Sequence, residues 1–160
     1  MTIQVDVQNA CDDDTAPDNA IIASWVNRAV DGSGTTGVSE VSVRVVSAEE
    51  IRALNKRYRS KDKPTNVLSF PAGKVSGLPA DIPVVLGDIV ICASVVRDEA
   101  AAQRKVIEDH WAHMLVHGTL HLLGFDHESD SEAAEMEALE TTILCDHGLA
   151  DPYRAAGENC

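Results

Sequence analysis

The segment KDKPTNVLSFP, Lys61 to Pro71, sets two prolines around a short apolar run, Val67 to Phe70. Proline is poorly tolerated inside regular elements, so the pair brackets one short strand. A Gly/Pro-containing loop, Ala72 to Pro83, separates it from a longer apolar strand, Val84 to Cys92. No helix fits between these two strands, so they read as a hairpin. Upstream the pattern is different. Ile3, Val5 and Val7 alternate with polar residues, as do Val41, Val43 and Val45, and each set predicts a half-buried strand. Pro17 to Val30 carries Ile21, Ile22, Trp25, Val26 and Ala29 as a helical stripe, and DGSGTTG, Asp31 to Gly37, reads as a loop. Ser47 and Glu50 form a capping box that opens a helix running to about Tyr58. Three helical segments follow the hairpin: Ser94 to about Lys105, Ile107 to about Leu123, and Ser131 to His147. Helix-linked strands followed by a hairpin predict an α+β fold, a mixed sheet of about four strands covered by helices.

The chain has 160 residues, and a chain of this size buries roughly 70% of its unfolded surface, enough for one domain without staples. With 44% hydrophobic and 24% charged residues it reads as globular rather than disordered. Its longest uncharged apolar run, Ile89 to Val96, is eight residues, against about 20 for a bilayer span. The N-terminus has neither a basic nor an apolar leader region, so a cytoplasmic single-domain protein over 1–160 is expected, with no membrane partner. Cys11, Cys92, Cys145 and Cys160 are too scattered for a CxxC pair and imply no disulfide framework. Cys92 reads as a small buried hydrophobe.

The net charge of −13 argues against binding nucleic acid by bulk electrostatics. The distribution says more. Arg52, Lys56, Arg57, Arg59, Lys61 and Lys63 are six of the 13 basic residues, whereas from Asp126 onward the only base is Arg154. Such a cluster is either a solvated helix end or a local anion site, and composition alone leaves both open.

Four of the six histidines lie between residues 110 and 121, and another follows at 127. His117 and His121 are four apart in a helical stretch and share a face. Gly124 can end the helix in a left-handed turn, letting His127 return to the same point. The pattern H-x3-H-x5-H then offers three imidazoles to one divalent ion, zinc or another, at the C-terminal end of a long helix. The fourth position stays open, as in catalytic zinc sites. His113 and His117 are also four apart, so spacing does not by itself exclude His113. Asp126 reads as an orienting partner of an imidazole, as a group near a metal-bound water, or as a helix-capping or turn residue. Metzincin proteases share the spacing, as H-E-x-x-H-x-x-G-x-x-H. Gly118 stands where they carry the glutamate base, so peptide hydrolysis is disfavoured.

Three segments together, LNKRYRSKDKPTNVLSFP (Leu54 to Pro71), LGDIVI (Leu86 to Ile91) and HMLVHGTLHLLGFDHESDSEAAEMEALE (His113 to Glu140), resemble the YbeY family of bacterial ribosomal-RNA maturation endoribonucleases. The resemblance implies zinc ligands at His117, His121 and His127 and an important arginine at Arg59. It implies a metal-dependent, single-strand-specific endoribonuclease acting in small-subunit ribosomal-RNA 3′-end maturation and ribosome quality control. The partners it implies are ribosomal RNA, the small subunit and its assembly factors, not DNA. On this reading the acidic remainder of the chain limits non-specific RNA binding and leaves one cationic groove. The rival reading is a non-catalytic, zinc-containing ribosome assembly factor. One position departs from the family's usual P-T-D-V-L-S-F: this chain has Asn66.

Overall fold

The structure is a computed structural model and describes residues 3–72 and 85–153. Nine elements follow in order: β1 (Gln4–Asn9), α1 (Asn19–Ser33), β2 (Glu40–Val46), α2 (Ala48–Arg59), β3 (Val67–Pro71), β4 (Val85–Cys92), α3 (Ala93–Ala102), α4 (Ile107–Leu122) and α5 (Asp130–Asp146). The sheet order is β1-β2-β4-β3. β1, β2 and β4 run parallel, and β3 returns antiparallel on β4 with Val67 opposite Ile91 and Phe70 opposite Asp88. The expected hairpin is therefore the feature that makes the sheet mixed and leaves β3 at an edge. Most of the expected 72–83 loop lies outside the described residues.

Both faces of the sheet are packed. Val41, Val43, Val45, Ile89 and Ile91 meet α1 and α4 in the larger core, while Val46, Val90, Cys92 and Leu68 meet Ile51 of α2 in a smaller one. β4 contributes to both, which explains why its apolar run is nearly continuous rather than alternating. α4 lies in the middle of the larger core and is buried on almost every side, from His110 to Leu122.

The capping box forms by half. Ser47 accepts a hydrogen bond from the Glu50 amide, but the Glu50 carboxylate is taken by Arg44 of β2, at 2.7 Å. Two expectations need correction. Asp31 to Ser33 are helical, because the last turn of α1 packs on α5, with Gly32 against Ile143; the loop begins at Gly34. Ile21 is 46% exposed rather than part of the buried stripe. Cys92 is buried and free, Cys11 is half-buried and free, and Cys145 is disulfide-bonded. Disulfide pairing depends on distance between α-carbons in the fold, which sequence spacing does not reveal.

Candidate metal centre and its cleft

The site is built at the end of α4. The Phe125 amide donates to the Leu120 carbonyl and the Gly124 amide to that of His121, closing the last turn. Gly124 adopts φ 101°, the left-handed conformation that suits glycine. Asp126 then accepts from the His127 amide at 2.8 Å. Its carboxylate stands 3.8 Å from His127 Nδ1, within ion-pair reach but too far for a hydrogen bond, so the hydrogen bond of Asp126 serves the turn.

The turn delivers His127 to His117 and His121, and one ring nitrogen from each lies within 4.8 Å of the others. The Nε2 atoms of His117 and His121 are 3.0 Å apart, converging on one point. His113 does not join them. It is turned inward, 7% exposed, and its Nε2 donates to Glu140 at 2.8 Å.

Glu140 of α5 is the residue that sequence reading missed. It is fully buried and accepts hydrogen bonds from His117 Nδ1 at 2.6 Å, from His113 Nε2 and from the Tyr153 hydroxyl. Burial by itself would raise its carboxyl pKa, but the hydrogen bonds from the two histidines outweigh this and hold it at about 2. The resulting carboxylate keeps the proton of His117 on Nδ1, which leaves a lone pair on Nε2 facing the other two rings. Burial, with the neighbouring His117 and His127, lowers the pKa of His121 and favours its neutral, ligating form. Three convergent imidazoles, one with its tautomer fixed by a buried carboxylate, fit a divalent metal ion. The signal that marked Glu140 was its phase: it lies on the same face of α5 as Met136, Ile143 and Leu144, where a glutamate has no reason to be unless it is partnered.

Gly118 faces the sheet and not the histidines. A β-carbon there would lie 3.1 Å from Val67 and 3.2 Å from Ile89. Its carbonyl accepts from the Ser69 hydroxyl at 2.8 Å. A glutamate at 118 would have to separate α4 from β3 and β4, so the missing protease base is also a packing requirement.

Folding does bring the basic segment to the histidines. Arg59, Lys61 and Lys63 line a cleft of about 670 Å³ together with His117, His121 and His127. Arg59 is held by a hydrogen bond to the Ser69 carbonyl at 3.0 Å and lies over the Phe70 ring. The rest of the cluster is engaged elsewhere: Arg52 and Lys56 face Asp62, and Arg57 lies over Tyr58. Asn66 also lines the cleft. Its amide donates to Glu99 at 3.1 Å, and Glu99 in turn accepts from His110 at 2.9 Å. An ionised aspartate at 66 could not donate to Glu99, so asparagine suits this neighbour.

The fold and the site define a class: an α+β domain with a three-histidine cluster that could hold a metal ion, in a cleft lined by basic residues at a sheet edge. Comparison with known proteins narrows it. The family model described as Endoribonuclease YbeY matches residues 6–148. The chain is 51% identical over 140 residues to a protein of Halorhodospira halophila named Endoribonuclease YbeY, covering 88% of this chain and 90% of that one. It is 49% identical over 156 residues to a protein of the same name from Alcanivorax borkumensis, covering 97% and 89%. A solution structure of a Thermotoga maritima protein superposes with a TM-score of 0.57 at 22% identity, over 94% of this chain and 99% of that one, and shares the fold. The chain belongs to the endoribonuclease YbeY family.

Proposed function

We propose that this protein is a metal-dependent, single-strand-specific endoribonuclease acting in maturation of the 3′ end of small-subunit ribosomal RNA and in ribosome quality control. The observation that carries the reading is that three convergent imidazoles and Arg59 line one cleft. The all-imidazole donor set suits zinc, with other divalent ions able to replace it. His117, His121 and His127 would hold the ion, and when bound it supplies Lewis-acid polarisation of a phosphoryl oxygen.

The remaining work falls to the chain's own groups. Glu140 orients His117. Arg59 is anchored through its two terminal nitrogens to the Tyr58 and Ser69 carbonyls, leaving the remaining N–H groups of its planar fork for phosphate oxygens. That pairing positions the scissile phosphate and neutralises charge that develops on it. Lys61 and Lys63 extend the cationic lining along an RNA backbone. Cations are concentrated here on a chain whose net charge is −13, which favours single strands that can enter the cleft over nucleic acid bound along the whole surface. Small-subunit assembly factors are the expected protein partners, and the cytoplasm the expected compartment. No described helix is long and apolar enough to cross a membrane.

Cleavage of a short single-stranded RNA by metal-loaded protein tests this, beside a chelated sample, Arg59→Ala and His121→Ala. Loss of cleavage in all three controls is expected. Cleavage surviving them all would overturn the reading. No cleavage by metal-saturated wild type would favour the non-catalytic assembly factor.

A further inference from the structure

A second concavity opens on the other side of β3. Val67, Ser69 and Pro71 contribute to the metal cleft, and strand alternation sends Phe70 to the opposite face. There, Phe70 and Tyr58 wall a cavity of about 500 Å³ over the open part of the sheet. That volume is in the range of small-ligand sites. Tyr58 is 49% exposed, unusual for an aromatic ring, and packs edge-on against Phe70 with centroids 5.2 Å apart.

Arg59 connects the two sites. It lines the metal cleft, and its guanidinium carbon lies 5.3 Å from the centre of the Phe70 ring. Arg57 stands over Tyr58 at the same distance. Charge is sorted across this surface. The guanidinium groups of Arg57 and Arg59 sit beside the aromatic rings, whereas the cavity beyond carries the carboxylates of Asp6 and Asp88, the Ser42 hydroxyl, and Arg44 paired with Glu50. A phosphate is attracted to Arg57 and Arg59 and repelled from the cavity, where three carboxylates outnumber the one guanidinium of Arg44. An uncharged planar ring with amino or imino hydrogens suits it, because its face can stack on the exposed Tyr58 ring, which Phe70 braces edge-on, while its edge donates to a carboxylate.

We infer that Tyr58 and Phe70 form a stacking platform for a nucleobase of the RNA, adjacent to the phosphate held at Arg59, with the base edge turned toward Asp88. The inference rests on the ribonuclease reading and adds to it a base-binding subsite outside the metal cleft. Tyr58 acts here on substrate binding and orientation.

Binding of uncleavable 2′-O-methyl RNA to metal-loaded protein tests the platform, with a single abasic nucleotide moved along a short oligomer. Stacking on an aromatic side chain is sequence-tolerant and its loss weakens binding by about tenfold. One abasic position should therefore weaken wild-type binding by about tenfold. Tyr58→Ala should lose the same factor with intact RNA and nothing further at that abasic position, as groups that contact one another behave in a double-mutant cycle. Tyr58→Phe, which keeps the ring, should bind like wild type. Wild-type affinity in Tyr58→Ala would overturn the inference. So would two losses that multiply, because the ring and the base would then act independently. Arg59→Ala separates the two readings, since it should weaken binding whichever base is missing. If wild type binds no oligomer and Arg59→Ala changes nothing, the RNA cleft itself fails, and the platform with it.

Discussion

α4 carries two pairs of histidines, and the pairs use the same ring differently. His110 and His113, in its first half, are 3% and 7% exposed, and each points a ring nitrogen at a carboxylate on a neighbouring helix, Glu99 and Glu140. His117 and His121, in its second half, reach the cleft and converge on each other and on His127. His117 belongs to both arrangements, since Glu140 holds its Nδ1 while its Nε2 faces His121. Helical spacing makes 113, 117 and 121 equivalent. Burial and carboxylate partners make them different. The inner pair secures the helix against α3 and α5, and the outer pair, presented by that rigid frame, is free to bind.

The largest effect that would break this division is replacement of an outer histidine. His117→Ala or His121→Ala should abolish stoichiometric metal binding and reduce RNA cleavage to background, measured by metal analysis and the cleavage assay. Next comes the link between the pairs. Glu140→Gln keeps the shape but loses the charge that fixes the tautomer of His117, and should lower metal affinity by about 10- to 100-fold in a competition titration. An unchanged affinity would mean that Glu140 serves packing alone. Gly118→Ala tests the frame without touching a ligand. Forcing a methyl group against Val67 and Ile89 should cost about 1–3 kcal/mol in urea unfolding.

The smallest effect belongs to the inner pair. Burial lowers the pKa of His110, against the opposing pull of Glu99, below its ordinary value of 6.5. The unfolded chain therefore takes up this proton more readily than the folded one. The stabilising contribution of the neutral ring is present above the unfolded pKa and is lost as pH falls through it toward the folded value. Unfolding free energy should decline from pH 7.5 to 5.5 less steeply in His110→Gln than in wild type. A steeper decline in the variant would reverse the sign and contradict the burial argument.

Much of this was legible in the residues. H-x3-H-x5-H with a glycine stop gives the three convergent histidines, because helix period and a left-handed turn are local properties. The two prolines around Val67–Phe70 give the hairpin for the same reason. What escaped was set by tertiary packing. Asp130, Glu132, Glu135, Glu137 and Glu140 look alike in sequence, yet among these five only Glu140 is buried. Asp126, beside the last histidine, seemed the nearer candidate to orient an imidazole, but proximity along the chain gave it a backbone amide instead. Asn66 departs from the family's usual aspartate, and its reason lies 33 residues away in Glu99. The last turn of α1, Asp31 to Ser33, packs on α5 more than a hundred residues downstream, and its local stop signal, the left-handed Gly34 cap, was masked by the loop-like composition of the segment.

The division of the histidines is tested most directly by the metal content of His113→Gln and His121→Gln, each dialysed against the same buffered zinc concentration. One ion per chain retained by His113→Gln and none by His121→Gln is the predicted result. Loss of the ion from His113→Gln with retention by His121→Gln would contradict it, and would move the metal one turn back along α4.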